Sequence, residues 1–354
     1  MKKLKVGVIF GGKSGEHEVS LQSVKSIIES LDRAQFQPVL MGIDKTGKWS
    51  FYNESNFLYS PEDIKQIKLN NSNGHMLISL GREGLFVESG SDFLSNQVDV
   101  LFPILHGTLG EDGSIQGLLN MINLPYVGSG VLGLSICMDK DIAKCLMQNA
   151  GINVANGKTY TRSERDQINY DELTNTLGDT MFVKPANQGS SIGINKVSTK
   201  DSFKKAINLA FEYDHKIIIE EAIIGREIAI SLLGNESPRA SLPGEILVKK
   251  ELYSYESKYM NSSKSKFSIP AELPDDKIKE MQEIALKAFK MLQCKGLARI
   301  DLFLRNDGKV YVNEVNTLPS FTQTSIYPKL WEASGITYSN LITELIYLAI
   351  KEDH

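Results

Sequence analysis

The sequence predicts an α/β protein. The observations that predict it are three apolar runs and a helical pattern that follows the first of them. Residues 4–10, 39–44 and 98–105 read LKVGVIF, VLMGID and VDVLFPIL, which is typical of strands in a sheet covered on both faces. The first run is followed by a glycine turn and HEVSLQSVKSIIESL, whose apolar residues recur at helical spacing. We therefore expect the first third of the chain to form an open α/β domain.

A second unit of strands and helices follows. It is preceded by one helix that begins near Leu132, runs through residues 138–151 and stops at Gly151, a good helix end. The elements of the second unit are a strand at 181–186, a loop at 187–193, a helix at 201–213 and a strand at 216–223. An apolar strand such as the last is compatible with a nucleotide-binding edge or simply with a buried core.

The third unit opens with an apolar strand at 226–233 and continues into a stretch at 249–273 that is too rich in Ser and Lys to pack. A helix near 275–294, a hairpin and an amphipathic terminal helix complete it. The 354 residues suffice for about two or three domains. We expect the domains to span residues 1–130, 131–224 and 225–354.

The composition excludes several classes of protein. The net charge is −4, the pI is about 5.9, and Lys and Arg are scattered, so nothing indicates nucleic acid or an anionic membrane as a partner. Cys137, Cys145 and Cys294 lack paired spacing, as expected of core residues in a reducing compartment. The N-terminus lacks a cleavage site, and no apolar run approaches the ~20 residues that span a bilayer. We expect a soluble, cytoplasmic protein.

Residues 7–14 read GVIFGGKS and satisfy the P-loop pattern G-x-x-x-x-G-K-[ST] letter by letter. We reject a P-loop, because three bulky apolar residues follow the first glycine and belong inside the strand. The loop itself begins at Gly11 and contains Glu16 and Glu18, whose carboxylates would repel a triphosphate. At a helix N-terminus, Glu16 could instead bind the amine of a small substrate; the same residues are equally consistent with Glu16 only capping the helix.

A β-hairpin is predicted around Asp307-Gly308, a strong turn signal inside GLARIDLFLRNDGKVYVNEVNTLPS. Centring the turn on that dipeptide pairs four polar residues, Asp301 with Glu314 and Arg299 with Asn316. These four then share one face, because opposed residues and residues two apart point the same way. The other face is expected to carry Ile300, Leu302, Tyr311 and Val315.

Two carboxylates and an amide within cross-strand reach, ~5 Å between Cβ atoms, are oxygen ligands of the kind that Mg²⁺ takes. The hairpin contains no Cys or His that would favour zinc. We therefore predict a metal site at Asp301, Glu314 and Asn316. The alternative is that Arg299 and Asp301 form a plain surface ion pair on a solvated face.

A series of motifs carries a family resemblance. The two longest are HGTLGEDGSIQG (106–117) and the run from GLARIDLF to EVNTLP. The others are GGKSGEHEVS, MDK, VKPANQGSSIG, IIEEAIIGRE and YSYESKY. Over essentially its whole length the sequence resembles the D-alanine–D-alanine ligases of the ATP-grasp superfamily. The resemblance implies an N-terminal α/β substrate domain followed by a central and a C-terminal ATP-grasp subdomain, with ATP held between the last two.

The resemblance also implies roles for individual residues. It places ATP against Lys140, Lys184, Glu220, Glu221, Ile223 and Glu227. Two Mg²⁺ or Mn²⁺ ions would bind at Asp301, Glu314 and Asn316. The implied catalytic residues are Glu16, Ser190, Tyr259, Arg299 and Ser325, and the implied substrate-binding residues are His106, Lys258, Ser320 and Ile326.

Within this set, Glu16 would anchor the ammonium of the first D-alanine, hydrogen-bonded to Ser190 and Tyr259. Arg299 and the backbone N–H of Ser320 would receive the oxyanion of the second chemical step. From composition alone, the QGSSIG loop could equally be a mere connector.

The polar stretch around Lys258 and Tyr259 would form a lid that excludes water, although its composition alone predicts a surface loop. The tyrosine favours a dipeptide product over an ester. Two positions depart from the family signature, Val312 in place of Leu or Ile and Ser320 in place of Gly or Ala. A left-handed backbone at Ser320 would cost more than it does for glycine.

The implied reaction joins two D-alanines with ATP through a D-alanyl phosphate, for peptidoglycan precursors. The expected partners are D-alanine, ATP and a second copy of the chain in a homodimer, without nucleic acid or membrane. Alternatives are a D-serine or D-lactate variant, another ATP-grasp carboxylate–amine ligase, and a nucleotide-binding regulator that has lost catalysis. The last requires a missing metal ligand or oxyanion arginine, and none is missing.

Overall fold

The structure is a computed structural model that describes residues 2–72, 76–78, 85–88, 95–247 and 266–351. Within these ranges the strands form three larger sheets, one in each successive stretch of the chain, and two small antiparallel sheets. This α/β layering agrees with the sequence-based expectation. No helix within the described ranges combines the length and the apolar character that a membrane crossing requires.

The first stretch builds a four-stranded sheet. The strands of this stretch are β1 Leu4–Gly11, β2 Phe36–Ile43, β3 Trp49–Tyr52, β4 Leu58–Tyr59, β5 Lys68–Leu69, β6 Met76–Ile78, β7 Leu85–Glu88, β8 Ser95–Gln97 and β9 Val100–Ile104; β4 pairs with β5, and β6, β7 and β8 form the other small sheet. The main sheet has the order β3-β2-β1-β9, with β1 parallel to β2 and β9 and with β3 as an antiparallel edge. Helices α1 His17–Ser30 and α2 Ser114–Met121 complete the unit. The three predicted strands and the first helix are confirmed.

The second stretch forms an antiparallel sheet in the order β10-β13-β11-β12. Its strands are β10 Gly157–Thr161, β11 Met181–Pro185, β12 Asn195–Val197 and β13 Lys216–Glu221. Its helices are α3 Val131–Met138, α4 Lys140–Asn149, α5 Tyr170–Leu177 and α6 Lys200–Tyr213, with a 3₁₀ helix at Arg162–Gln167.

The prediction of one continuous helix from residue 132 to 151 is wrong. The Asp139 side chain accepts hydrogen bonds from the backbone N–H groups of Asp141 and Ile142, which is an N-cap, so a new helix starts there. Gly151 does follow the end of α4, with a left-handed φ of 71°. The cap separates α3 from α4 and sets the direction of the helix that carries two buried lysines.

The third stretch contains the largest sheet, in the order β17-β16-β14-β18-β19, with β15 also paired to β14. The strands are β14 Gly225–Gly234, β15 Arg239–Ala240, β16 Gly244–Leu247, β17 Lys266–Ser268, β18 Gly296–Arg305 and β19 Val310–Asn316. The helices are α7 Asp275–Met291, α8 Ile326–Ala333 and α9 Tyr338–Lys351. The polar stretch predicted not to pack lies mostly outside the described residues. Its last part is described and does pack: β17 pairs with β16, and Ala271 is buried.

The hairpin of β18 and β19 has the predicted register at the site and a different one near the turn. Asp301 faces Glu314, whereas Leu302 faces Val312, so β19 contains an extra residue beside Asp301. This bulge offsets a turn that closes with the Arg305 N–H on Lys309 O, one residue away from a turn centred on Asp307-Gly308. The prediction for Tyr311 is therefore wrong: Val312 is buried in its place and Tyr311 is only half-buried.

Two hydrophobic cores join distant parts of the chain. One packs α1 and β9 against the terminal helix α9, with Phe102, Leu341 and Leu345 among its members. Another packs α4 against the third sheet and α7, with Met147 and Phe289 among its members. The terminal helix thus shares a core with the first sheet, and the predicted domain boundaries remain predictions.

Candidate active site

The glycine loop after β1 is closed by its own hydrogen bonds. The Gly11 N–H donates to Ser20 Oγ (2.8 Å), and the Gly12 N–H donates to Ile43 O (2.8 Å). The Ser20 hydroxyl in turn donates to Ile104 O. These amides already have partners and do not face outward as a phosphate cradle requires. The rejection of a P-loop agrees with this geometry.

Glu16 precedes α1 but does not cap it. Its side chain makes no capping hydrogen bond, it is only 7% exposed, and it accepts a hydrogen bond from Ser190 Oγ in the second unit. Its own N–H donates to Ser14 Oγ (3.2 Å), and the Ser14 hydroxyl donates to His106 O (2.6 Å). The capping alternative is therefore wrong, and the carboxylate faces the Gly-Ser loop as the family resemblance implies.

The Gly-Ser loop that meets Glu16 holds two serines in the left-handed region, Ser190 at φ 53° and Ser191 at φ 62°. For residues with a Cβ, this conformation costs about 1–2 kcal/mol each. Lys140 Nζ fixes the loop by donating to Gln188 O (2.5 Å), and the Asn187 N–H donates to Asp214 Oδ2 (2.7 Å). Backbone strain in a loop that neighbouring elements hold in place is typical of functional loops rather than of connectors.

A second carboxylate, that of Glu111, lies beside Glu16; it is not among the residues predicted from the sequence. Glu111 Oε2 accepts a hydrogen bond from the Gly107 N–H (3.0 Å). A Cβ at Gly189 would lie 3.7 Å from Glu16 Oε2 and 4.0 Å from Glu111 Oε2. Burial, and then Glu16, raise the pKa of Glu111 well above its usual value. The available signal was its position inside HGTLGEDGSIQG, the motif that also carries His106.

His106 is buried, and burial lowers its pKa, so its ring is neutral at pH 7. Nδ1 lies 3.1 Å from Leu318 O, which requires an N–H on Nδ1; Nε2 then accepts from the Ser23 hydroxyl (3.1 Å). Ser23 Oγ also accepts from the Phe321 N–H (3.3 Å). His106 and Ser23 together fix the loop that carries Ser320, and a direct contact of His106 with substrate stays a prediction.

The polar hairpin face is assembled as predicted. Arg299 donates to Asp301 through Nε and Nη2, both at 2.6 Å, and Asn316 Nδ2 donates to Asp301 Oδ2 (3.0 Å). The Arg299 and Asp301 side chains are 12% and 14% exposed, which excludes a surface ion pair. Glu227 lies on the same face, since on β14 it is two residues from Ala229, the partner of Asp301.

The donor set of this face fits a hard divalent cation. Asp301 and Glu314 are directly opposed and Asn316 is adjacent, so two carboxylates and an amide lie on one face within reach of each other. Across the described part of the chain, no group of three or more His, Cys, Asp or Glu is placed to hold a metal ion. An ion at this face would therefore also need the Asn316 oxygen, water and phosphate oxygens as ligands, which is the usual situation for Mg²⁺.

The predicted nucleotide residues surround a buried cluster of charges. Lys184 and Glu220 form an ion pair, and Lys144, which was not predicted, pairs with the other oxygen of the same carboxylate. The signal for Lys144 was its place one helical turn after Lys140 on the same face of α4. Glu221 instead accepts a hydrogen bond from the Asn156 N–H (2.8 Å), and Ile223 follows β13 half-buried.

The region around Ser325 is a helix N-terminus. Ser325 precedes α8, and its Oγ accepts from the Thr322 N–H (3.2 Å), while the Ile326 side chain is buried with Ala229 and Leu330. A helix start of this kind attracts carboxylates. Ser320 does not adopt a left-handed backbone, so the cost foreseen at that position does not arise. Lys258 and Tyr259 lie outside the described residues.

Comparisons with known proteins identify the family. Two family models cover most of the chain: one described as D-ala D-ala ligase N-terminus matches residues 5–129, and one described as D-ala D-ala ligase C-terminus matches residues 146–347. The chain belongs to the D-ala D-ala ligase family. A relative in this family, the D-alanine–D-alanine ligase of Shouchella clausii, is 52% identical over 352 residues, which cover 99% of this chain and 96% of that protein.

More distant members of the D-ala D-ala ligase family are also similar to this chain over nearly its whole length. D-alanine–D-alanine ligase A of Escherichia coli K12 is 47% identical over 99% of this chain and 97% of its own length. The structure of the D-alanine–D-alanine ligase from Coxiella burnetii superposes with a TM-score of 0.85 at 36% identity, covering 99% of this chain and 96% of that one. The structure of a D-Ala:D-Ser ligase from Enterococcus faecalis superposes with a TM-score of 0.85 at 34% identity, covering 98% of this chain and 100% of that one. The ATP-grasp architecture expected from the sequence is confirmed.

Proposed function

We propose that the protein joins two D-alanines into D-alanyl-D-alanine at the expense of ATP, as a step in making peptidoglycan precursors. The observation that carries the proposal is the contact between Glu16 and Ser190, which places a buried carboxylate beside the strained Gly-Ser loop. A carboxylate in that position suits the ammonium of an amino acid. The polar hairpin face and the lysine cluster suit the phosphates of ATP.

The first step is phosphoryl transfer. The carboxylate of the first D-alanine attacks the γ-phosphorus of ATP, the bond to the β-phosphate oxygen breaks, and D-alanyl phosphate and ADP result. Glu16 holds the ammonium of the attacking D-alanine, while Lys140 and Lys184 neutralise phosphate charge. Asp301, Glu314 and Asn316 would hold two Mg²⁺ or Mn²⁺ ions, which would supply further positive charge to stabilise the transferred phosphoryl group.

The second step forms the peptide bond. The amine of the second D-alanine attacks the acyl carbon and loses a proton, and a tetrahedral oxyanion forms. Its collapse breaks the bond between the acyl carbon and the phosphate oxygen, and inorganic phosphate leaves. The Arg299 guanidinium and the Ser320 N–H receive the oxyanion. Ser325, at the start of α8, holds the carboxylate of the second D-alanine.

D-Serine as the second substrate is the other candidate, because the chain superposes as well on a D-Ala:D-Ser ligase as on a D-alanine–D-alanine ligase. One assay separates the two. Phosphate release from ATP is measured with D-alanine, with L-alanine, and with D-alanine mixed with D-serine or D-lactate, and products are identified by mass. We expect release to require D-alanine and the mass of the dipeptide to dominate. Robust turnover with L-alanine alone contradicts the proposal.

We further propose that the protein acts as a homodimer in the cytoplasm, where ATP is available. Several apolar side chains on α2, α3 and α4 are exposed and could be covered by a second copy; they are Met121, Leu132 and Ile142. Light scattering coupled to size exclusion is expected to give twice the mass of one chain. We expect Leu132→Asp to lower that mass toward one chain, with the exposed Leu77→Asp as the control.

A further inference from the structure

One buried lysine has no role in the proposed reaction. Lys144 on α4 contacts Glu220 Oε2, while Lys184 on β11 contacts Glu220 Oε1. All three side chains are less than a tenth exposed. Lys184 is two residues from Phe182, the cross-strand partner of Glu220, so the strand register itself brings Lys184 to the carboxylate. Lys144 arrives independently, from the helix.

Two ammonium groups thus compensate one carboxylate. Burial alone raises the pKa of Glu220, but Lys144 and Lys184 outweigh it, and the pKa falls below its usual value. The carboxylate is therefore ionised. Burial lowers the pKa of Lys144 to about 8 even though Glu220 opposes this, so Lys144 is mostly cationic at pH 7.

The charge of Glu220 decides which base it can bind. An ionised carboxylate only accepts hydrogen bonds. At carbon 6 of the purine ring, adenine carries an amino group that donates, whereas guanine carries a carbonyl oxygen that accepts. An ionised Glu220 therefore binds the adenine edge and repels the guanine edge. When phosphates of the nucleotide attract Lys184, Lys144 remains as the cation beside Glu220.

We propose that Lys144 is a positioning residue that determines nucleotide specificity: it keeps Glu220 ionised and in place, so that the site selects adenine over guanine nucleotides. The inference rests on the proposed function and on the role that the family resemblance implies for Glu220, which is to line the adenine of ATP. It assigns to Lys144 the selection of the base. Lys144 acts through Glu220 and need not touch the nucleotide itself.

The test compares Lys144→Met, Lys144→Arg and, as a control, Lys205→Met, at an exposed lysine on α6. Binding of ADP and of GDP is measured by calorimetry without amino acids, and kcat/KM for ATP and GTP is measured with D-alanine. We expect Lys144→Met to lower the adenine-to-guanine ratio by about tenfold or more, the size of one charged hydrogen bond, through KM rather than kcat. Lys144→Arg restores most of the ratio, and Lys205→Met leaves it unchanged.

A pH profile gives a second measurement that needs only the wild type and Lys144→Arg. Among the described residues, the charged groups that act on Lys144 are Glu220 on β13, Lys184 on β11 and Lys140 one turn earlier on α4. The wild type is expected to lose selectivity for ADP over GDP above about pH 8, because Glu220 stays ionised there but a neutral Lys144 no longer holds its carboxylate in place. The arginine variant keeps its charge and its selectivity at that pH.

Three results overturn the inference. The first is an unchanged adenine-to-guanine ratio in Lys144→Met. The second is an equal loss of affinity for adenine and guanine nucleotides in that variant. The third is a pair of parallel pH profiles for the wild type and Lys144→Arg. Failure of the proposed function gives a different result, namely no D-alanine-dependent phosphate release by the wild type. Calorimetry with ADP and GDP measures the selectivity in either case.

Discussion

Two buried carboxylate sites in this molecule have opposite electrostatic surroundings. Around Glu16, the neighbouring Glu111 is a second carboxylate, and its pKa is raised by burial and by Glu16. Around Glu220, Lys144 and Lys184 supply two ammonium groups, and the net shift of its pKa is downward. Glutamates of equal chemistry therefore sit in one site crowded with negative charge and one crowded with positive charge.

The difference teaches what each site lacks. Two neighbouring carboxylates away from bulk water are stabilised by a cation, and under the proposed function the ammonium of D-alanine would provide one. A carboxylate between two lysines leaves an excess of positive charge, which a polyphosphate compensates. Glu314 lies electrostatically between the sites, since it raises the pKa of Glu111 and also that of Lys140, on which burial is the larger, lowering effect. The two sites thus meet at the polar hairpin face.

The largest effect is expected where the two sites meet. Glu314→Ala removes half of the opposed carboxylate pair and should abolish turnover, by about 10³-fold or more, because a metal ion contributes several kcal/mol of charge stabilisation. The melting temperature should change little, and the exposed Glu283→Ala on α7 serves as the control. Near-normal turnover in steady-state assays would contradict the metal assignment.

The site around Glu16, proposed to bind the substrate ammonium, is tested by Glu16→Gln, which keeps the shape of the side chain and removes its charge. We expect kcat/KM for the first D-alanine to fall by about 10²–10³-fold, since a buried charged partner is lost, while the Kd for ATP stays the same. The control is Glu18→Gln two residues on, because Glu18 pairs with the exposed Lys45. If Glu16→Gln weakened the binding of ATP instead, the assignments of the amino-acid site and the ATP site would have to be exchanged.

The site around Glu220, with its two lysines, is tested by Glu220→Gln. We expect this variant to affect ATP and not D-alanine, the reverse of Glu16→Gln. The KM for ATP should rise by about 30-fold and the KM for D-alanine should stay unchanged, because one charged hydrogen-bond acceptor is lost. The variant also leaves two buried ammonium groups uncompensated, which should cost about 3 kcal/mol of unfolding free energy. Adding Lys144→Met should restore part of that stability in urea unfolding; no recovery would mean that the pair of lysines is not the cause.

Sequence reasoning reached the polar hairpin face more securely than the two carboxylate sites. The facing of Asp301 and Glu314 was predicted from Asp307-Gly308 although the turn is offset, because the bulge beside Asp301 compensates for the offset. The predicted pairing therefore holds on the far side of the bulge. Between the bulge and the turn the register is shifted by one residue, so the prediction for Tyr311 fails. Motifs also located Glu16 and Glu220, but their electrostatic neighbours come from other elements.

The missed residues share a physical reason. Glu111 and Lys144 matter through burial and through partners far away in the chain, and neither is visible in local spacing. The break between α3 and α4 was missed because Asp139 sits inside an unbroken helical pattern, where only its side-chain contacts make it a cap. The left-handed serines were missed because serine gives no sign of positive φ.

The smallest effect concerns those serines, and it separates strain from binding in the ammonium site. Ser191→Gly relieves a left-handed residue and should raise the unfolding free energy by about 0.5–1 kcal/mol, because the greater freedom of glycine in the unfolded chain offsets part of the relief. Ser190→Gly relieves the same strain but removes the hydroxyl that Glu16 accepts from, so the KM for D-alanine should rise by about tenfold. Urea unfolding and steady-state kinetics on both variants measure the two quantities. An equal KM in both would show that the Ser190 hydroxyl does not position Glu16, and that the loop matters only through its backbone.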